Sequence, residues 1–254
     1  MKKMIVANWK MNKNLNDAVS ASSKIKKLCA DEDYADVVLC PPFTSLHAVS
    51  KELHASKIKL GAQNMHFEDE GAFTGDVSPL MLKDAGCEYV ILGHSERREF
   101  FFEDDDLINK KLLSALRHSI TPILCIGERL EERQNNKTKE VLERQLTKCL
   151  RGVTPSQMKG VVIAYEPVWA ISRGNPNQKA ATANDATDAH AFIREVIKKK
   201  FGGKISSGTR LLYGGSMKPE NAKELLSAKG IDGGLVGNAS LNAESFAKIV
   251  EAAR

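Results

Sequence analysis

Eight short apolar runs alternate with amphipathic stretches along the whole chain, and this alternation constrains the fold more than any other feature of the sequence. Runs rich in β-branched residues and bounded by turn residues are typical of buried strands. An amphipathic stretch of about ten to fifteen residues between consecutive runs predicts a helical crossover, which makes neighbouring strands parallel. The predicted strands are Met4–Asn8, Asp36–Cys40, Ile58–Gln63, Tyr89–Leu92, Thr121–Ile126, Gly160–Tyr165, Thr209–Tyr213 and Gly233–Val236.

Helical periodicity recurs between these strands and after the last one. Eight units that begin with a strand and end with a helix favour a closed (β/α)8 barrel over an open doubly wound sheet. The length of 254 residues agrees with the roughly 250 residues of such barrels. No linker or low-complexity segment divides the chain, so we expect a single α/β domain over residues 1–254. The predicted helices are Asn16–Ala30, Asp105–His118, Lys139–Leu150, Asn184–Phe201, Pro219–Ala228 and a last helix from Ala243 towards Arg254.

Charge and hydropathy argue against several other classes of protein. No run of about 18 apolar residues occurs, so we predict no membrane span. The apolar segment near Met1 is too short for the core of a signal peptide, which predicts a cytoplasmic protein. The net charge of +5 comes with lysines in helical stretches that lack interleaved aromatic residues. Solvated helix faces therefore explain these lysines better than nucleic-acid binding does.

The cysteines show the pattern of neither a disulfide framework nor a metal site. Their total of five is odd, and no two of them have Cys-x-x-Cys spacing. We therefore predict reduced thiols and no bound metal ion. The cysteines are Cys29, Cys40, Cys87, Cys125 and Cys149.

Polar and glycine residues collect at the carboxyl ends of the predicted strands, where (β/α)8 barrels carry their chemistry. Asn8 ends the first strand and Lys10 lies just beyond it, His94 follows the fourth strand and Glu166 follows the sixth. Glycine-containing turns follow the seventh and eighth strands. Because the carboxyl ends of all strands meet at one end of a barrel, we expect these residues to share one site.

Three of these side chains have a reactive interpretation and a plainer alternative. Glu166 suits a general base in a partly desolvated pocket, or else is a surface glutamate. His94 precedes a predicted helix start at Ser95, and the N–H groups of a helix start disfavour positive charge. We therefore expect a neutral imidazole that donates a hydrogen bond, the alternative being a structural histidine. Lys10 can stabilise an oxyanion, or is an ordinary loop lysine.

The two glycine turns suit a bound phosphate group. Gly214, Gly215 and Ser216 follow the seventh strand, and Gly237 and Asn238 follow the eighth. The turns after these two strands often bind phosphate in barrels of this kind, through backbone N–H groups and a helix N-terminus. Glycine pairs are also common in turns that bind nothing, and this alternative stays open at each turn.

A set of motifs resembles the triosephosphate isomerase family over essentially the whole chain and in the family's order. Any one of the motifs can occur by chance, whereas the set is highly specific. The motifs are Asn8-Trp9-Lys10-Met11-Asn12, Ala62-Gln63-Asn64, Gly71-Ala72-Phe73-Thr74-Gly75, Gly93-His94-Ser95-Glu96-Arg97-Arg98, Cys125-Ile126-Gly127-Glu128, Ala164-Tyr165-Glu166-Pro167-Val168-Trp169-Ala170 and Tyr213-Gly214-Gly215-Ser216.

The resemblance implies an aldose–ketose isomerase of glycolysis and gluconeogenesis that interconverts dihydroxyacetone phosphate and D-glyceraldehyde 3-phosphate without a cofactor. It implies that Glu166 shuttles the proton, that His94 polarises the carbonyl as neutral imidazole, and that Asn8 and Lys10 stabilise the enediolate; these are roles established for the family. Supporting and phosphate-binding roles are implied for Ser95, Glu96, Ser172, Gly215, Ser216, Gly237 and Asn238.

The resemblance also implies a homodimer. The family's third loop, here Asn64–Pro79, reaches into a pocket of the partner beside its active site. The loop is present at full length, with Phe73–Gly75 as its tip. Asp76 stands where the family has a glutamate that pairs with the partner's arginine, here expected to be Arg97.

Two departures from the family pattern fall on phosphate-binding loops. Seven residues, Ser172–Gln178, separate Ile171 from Lys179, where the family usually has three. Asn238 stands where the family usually has glycine. These changes leave an alternative: a barrel of the same fold that binds phosphate ligands but has weak or lost isomerase activity. The intact set of Asn8, Lys10, His94 and Glu166 argues against it, and against another phosphosugar enzyme on this barrel.

Overall fold

The strands form a closed barrel in a computed structural model that describes residues 1–30, 33–171 and 181–254. Neighbours in the barrel follow the order of the sequence, from β1 to β8. All pairs are parallel, and β8 pairs with β1 to close the barrel. The predicted (β/α)8 fold is therefore confirmed. The strands are β1 Lys3–Asn8, β2 Ala35–Cys40, β3 Lys59–Ala62, β4 Tyr89–Leu92, β5 Thr121–Ile126, β6 Val162–Tyr165, β7 Arg210–Tyr213 and β8 Gly233–Val236.

The strand bounds agree with the predictions to within two residues, and β4, β5 and β8 match at both ends. The largest difference is at β6, which begins at Val162 rather than at Gly160. The backbone N–H groups of Gly160 and Val161 donate to Gln157 and Met158 at 2.9 and 3.1 Å. These two residues therefore close the preceding helical turn and do not join the ladder.

Helices lie between the strands and after β8. The six predicted helices are present, with ends that differ by at most three residues. The helices that periodicity did not predict have between four and eight residues, which is too short for an amphipathic repeat to show. The described helices are α1 Leu15–Leu28, α2 Leu46–Leu53, α3 Pro79–Asp84, α4 Ser95–Phe100, α5 Asp105–Arg117, α6 Leu130–Gln134, α7 Thr138–Cys149, α8 Pro155–Met158, α9 Ala183–Phe201, α10 Gly203–Gly208, α11 Pro219–Ser227 and α12 Ala243–Glu251.

The strands are buried on both faces, which explains their nearly continuous apolar sequences. One set of side chains, including Val6, Val38 and Ile123, fills the inside of the barrel. A larger set, including Ile5 and Leu39, packs between the strands and the helices. The packed interior leaves the loops at the ends of the barrel as the places open to a ligand.

The seam between β1 and β8 requires a residue without a side chain. Gly233 has φ +154°, and a Cβ atom there would lie 1.9 Å from the carbonyl oxygen of Met4. Met4 and Gly233 are partners in the ladder that closes the barrel. Glycine therefore lets the last strand approach the first. Across the three described segments, no helix combines the length and the apolar character that a membrane crossing requires.

Candidate active site

A cavity of about 690 Å³ opens at the carboxyl ends of the strands and contains most of the predicted site residues. Ser95 does not line it but contributes its backbone N–H to the site. Ser172, and with it the Ser172–Gln178 segment, lies outside the described residues. The predicted residues that line the cavity are Asn8, Lys10, His94, Glu96, Glu166, Gly215, Ser216, Gly237 and Asn238.

A carboxylate–imidazole pair occupies the floor of this cavity. Glu166 follows β6, and its Oε1 lies 3.0 Å from Nε2 of His94, which follows β4. The second oxygen, Oε2, accepts a hydrogen bond of 2.9 Å from the Ser95 N–H. Both side chains are nearly excluded from solvent, at 8% and 3% exposure for His94 and Glu166. The structure therefore joins two residues that are 72 positions apart in the chain.

The hydrogen bonds of His94 indicate where its proton lies. His94 caps α4, and its Nδ1 accepts from the backbone N–H of Glu96 at 3.3 Å. A ring nitrogen that accepts an N–H carries no proton, so the single proton of the neutral ring belongs on Nε2. That nitrogen faces Glu166. The predicted helix start beside His94 is confirmed, and the neutral tautomer suits its place at the N-terminus of α4.

The Glu166 carboxyl is ionised at neutral pH. Burial raises its pKa, whereas the hydrogen bonds from His94 and from the Ser95 N–H and the charge of the Lys10 ammonium lower it, and the pKa lies below its usual value. A carboxylate offers about four lone-pair sites, so this ionised and buried group keeps a lone pair available for a proton.

Two glycines make room for Glu166. A Cβ atom on Gly127, after β5, would lie 1.7 Å from the Glu166 carbonyl oxygen, and one on Gly214, after β7, would lie 2.8 Å from the Glu166 Cγ atom. The backbone of Glu166 is fixed on β5 by a hydrogen bond of 2.8 Å from its N–H to the carbonyl of Ile126. The neighbouring strands thus determine both the backbone position and the side-chain direction of this residue.

Lys10 enters the cavity through an unusual backbone conformation. Its φ is +52°, which non-glycine residues rarely adopt because of steric strain. Asn8 Oδ1 accepts the Lys10 N–H at 3.1 Å, and Gln63 donates to the Lys10 carbonyl at 2.9 Å. These bonds offset the strain and direct the ammonium group to Glu96 Oε1, 2.6 Å away.

The turns after β7 and β8 lie in the same cavity as the carboxylate–imidazole pair. Gly215 has no room for a side chain, because a Cβ atom would lie 2.2 Å from the hydroxyl of Tyr213. After β8, the Ser240 carbonyl accepts the indole N–H of Trp9 at 3.1 Å, which fastens this turn to the β1 loop. Asn238 has no left-handed backbone, so the change from glycine adds a side chain without backbone strain there.

A buried network beside Glu166 was not predicted from the sequence. Glu128 is fully buried and accepts from the Tyr165 hydroxyl at 3.1 Å and from the Trp169 indole at 2.8 Å. Burial raises the pKa of Glu128, against the opposing effect of these hydrogen bonds. Arg133 lies 4.1 Å above the Trp169 ring and binds Asp185 at 2.6 Å. The only sequence signal for this network was the polar end of the motif that follows β5.

The fold and the site together define a (β/α)8-barrel enzyme with a carboxylate–imidazole pair beside an ammonium group and two glycine turns. Comparison with known proteins identifies the family. The family model described as triosephosphate isomerase matches residues 3–253. The chain belongs to the triosephosphate isomerase family, and its barrel is the TIM barrel.

Individual relatives agree over nearly their whole length. The triosephosphate isomerase of Carboxydothermus hydrogenoformans is 52% identical over 250 residues, which cover 98% of both chains. That of Alkaliphilus metalliredigens is 49% identical over 251 residues, which cover 98% of this chain and 99% of the relative. The crystal structure of triosephosphate isomerase from Bartonella henselae superimposes with a TM-score of 0.89 at 39% identity, covering 99% of each chain.

Proposed function

We propose that this protein interconverts dihydroxyacetone phosphate and D-glyceraldehyde 3-phosphate by proton transfer through an enediolate. Family membership over residues 3–253 supports the substrate and the reaction. The observation that carries the proposal is the 3.0 Å contact between Glu166 and His94 inside the cavity. The contact joins a base and a hydrogen-bond donor at one site, as proton transfer next to a carbonyl requires.

In this proposal Glu166 removes the proton from one substrate carbon and returns it to the neighbouring carbon. The Nε2–H of His94 donates to the substrate oxygen on which negative charge develops, as is established for the family. Asn8 and Lys10 stabilise the same charge. Glu96 neutralises Lys10 before substrate binds, and Ser95 holds the base in place by its backbone N–H. The proton moves within a single substrate, so the proposed reaction needs neither a cofactor nor a metal ion.

The phosphate end of the substrate is assigned to the turns after β7 and β8. Gly215 and Ser216 contribute the first turn, and Gly237 and Asn238 contribute the second. Backbone N–H groups can approach an anion closely at Gly215 and Gly237, because no side chain intervenes. Ser172 completes the proposed set by resemblance alone.

We also propose a homodimer built on the loop Asn64–Pro79. The loop is internally braced: the ring of His66 packs against Phe67 and Phe73 at centroid distances of 4.3 and 4.0 Å. Outside the loop, Met11 and Phe102 are 96% and 86% exposed. Large apolar side chains at such exposure suit a surface that a second copy covers. A preformed loop loses little entropy on association.

Three further assignments concern the domain organisation, the cellular role and location, and one contact across the proposed dimer. A barrel that closes from β1 to β8 supports a single domain over residues 1–254. The proposed activity supports a role in glycolysis and gluconeogenesis, and we propose a cytoplasmic location. The expected pair between Asp76 and the partner's Arg97 is compatible with the half-exposed Asp76 carboxylate.

A steady-state assay with D-glyceraldehyde 3-phosphate tests the proposal. Efficient turnover supports the isomerase. Binding of inorganic phosphate without turnover would support instead a phosphate-binding barrel with weak or lost activity. Turnover of other phosphosugars but not of triose phosphates would point to a different enzyme.

A further inference from the structure

We propose that Arg98, a residue of α4 that does not line the cavity, is a positioning residue that holds the His94 imidazole against the Glu166 carboxylate. The proposal rests on the roles assigned above to these two residues. Arg98 is largely buried, at 15% side-chain exposure. It reaches backward from α4, under the active site, to the strands that carry the reacting groups.

The guanidinium group of Arg98 bridges β4 and β5 where their own hydrogen bonding stops. The last paired residues of these strands are Leu92 and Leu124. Arg98 Nε donates to the carbonyl of Gly93 at 2.8 Å, and its Nη2 donates to the carbonyl of Cys125 at 3.2 Å. These two carbonyls belong to the residues directly after the last pair. One side chain therefore continues the connection between the strands for one more residue.

Both bridged carbonyls are next to the reacting groups. The Gly93 carbonyl belongs to the peptide bond that leads into His94, so fixing it fixes the backbone from which the imidazole projects. Cys125 precedes Ile126, whose carbonyl accepts the backbone N–H of Glu166 at 2.8 Å. A displacement between β4 and β5 at this level would change the 3.0 Å contact of the pair directly.

The space around Gly93 fits this role. Gly93 has φ +70°, and a Cβ atom there would lie 3.1 Å from Arg98 Nη2 and 3.2 Å from the Cys125 carbonyl oxygen. The guanidinium thus fills the gap that the absent side chain leaves. The left-handed turn at Gly93 directs His94 into the cavity while its carbonyl points back to Arg98.

An ion pair with Asp105 explains how the protein keeps the charge of Arg98 buried. Arg98 Nη1 binds Asp105 at 2.6 Å, and Asp105 is itself 9% exposed. A buried cation needs such a partner, but the ion pair alone would be satisfied by a lysine. Only the planar fork of a guanidinium reaches a carboxylate and two separate carbonyls at once. Arg98→Lys should therefore keep the charge and lose the bridge.

The test is a double-mutant cycle of Arg98→Lys and Glu166→Asp, with kcat and KM measured for triose phosphate. We expect Arg98→Lys alone to lower kcat by roughly 10- to 100-fold, because a small misplacement of reacting groups has that effect, with KM changed by less than about threefold. In the Glu166→Asp background the alignment is already lost, so the same substitution should lower kcat by less than about threefold. Arg151→Lys is the matched control, since Arg151 pairs with the adjacent Asp106 at the exposed surface and should leave kcat unchanged.

Other outcomes overturn the proposal. An unchanged kcat, an effect confined to KM, or equal losses in both backgrounds would make Arg98 a residue of general stability. If Arg98→Lys does not fold, Arg98→Met with Asp105→Asn removes both charges together and is assessed by the same criteria. Should Glu166→Asp itself keep wild-type activity, the proposed function fails. Loss of activity in Glu166→Asp with an additive or absent effect of Arg98→Lys refutes only the inference about Arg98.

Discussion

A buried histidine that does not line the active-site cavity makes the stability of this protein depend on pH. His190 in α9 has no exposed surface, and its Nδ1 lies 3.0 Å from the carbonyl of Gly230. Burial lowers the pKa of His190 to about 4; the Gly230 carbonyl and Asp232 oppose this shift, and Arg194 adds to it. The same imidazole in the unfolded chain has a pKa of about 6.5. The folded state thus excludes a proton that the unfolded state binds.

The sign and size of the effect follow from these two values. Because the pKa is depressed in the folded protein, the contribution of His190 to stability is fully present above about pH 6.5. It is lost as the pH falls from about 6.5 to 4, and it changes no further below that range. The difference of about 2.5 units between the two pKa values corresponds to roughly 3 kcal/mol of the free energy of unfolding. Roughly 2 kcal/mol of this is lost between pH 7 and 5.

Urea unfolding at a series of pH values measures this effect, with protein concentration held constant because the proposed dimer would make stability depend on concentration. The matched variant is His190→Asn, which can donate to the Gly230 carbonyl but does not titrate. We expect the free energy of unfolding of wild type to fall more steeply than that of the variant between about pH 6.5 and 4, by up to roughly 1.4 kcal/mol per pH unit. Parallel profiles for the two proteins would refute the assignment of the titration to His190.

Three further predictions concern the site and the dimer. Gly214→Ala should lower kcat strongly, because its Cβ atom would lie 2.8 Å from the Glu166 Cγ atom, whereas Gly203→Ala meets nothing within 4 Å; equal activities would contradict this. Replacing Ser172–Gln178 with Gly-Thr-Gly should raise kcat/KM and reduce methylglyoxal release, because the corresponding loop of the family closes over the substrate and each additional residue that must be ordered costs roughly 1–2 kcal/mol; unchanged or lower kcat/KM would show that the longer segment is no handicap. Shortening the loop Asn64–Pro79 should give a monomer of much reduced activity in light scattering and kinetic assays; an active wild-type monomer at micromolar concentration would exclude the proposed role of the dimer.

The barrel and the principal residues of the site were predictable because both depend on local sequence. Strands buried on two faces are almost wholly apolar, so a polar residue marks the point where a strand leaves the barrel. His94 and Glu166 stand at such points, and the fold brings all of these points together. The glycine turns after β7 and β8 carry the same kind of local signal.

The contacts that adjust the site were not predictable, because they join segments distant in sequence. Lys10 adopts its left-handed conformation only where Asn8 and Gln63 bind its backbone. Nothing near Glu128 in the sequence indicates that Trp169 will donate to it. From the sequence, Arg98 is an ordinary charged residue of a short helix. Its contact with the Cys125 carbonyl on β5 becomes evident only from the fold. Short helices such as α4 are likewise fixed by packing and capping rather than by periodicity.

The most direct test of the central claim is the rate of proton transfer by a Glu166→Gln variant, followed by proton NMR of triose phosphate in deuterated water. Glutamine keeps the size of the side chain but cannot accept the proton. Loss of the base should slow both isomerisation and deuterium incorporation by at least roughly 10²-fold, while inorganic phosphate still binds. Glu224→Gln, on the exposed side of α11, is the control and should match wild type. If the Glu166→Gln variant kept more than about a tenth of the wild-type rate, Glu166 would not be the base.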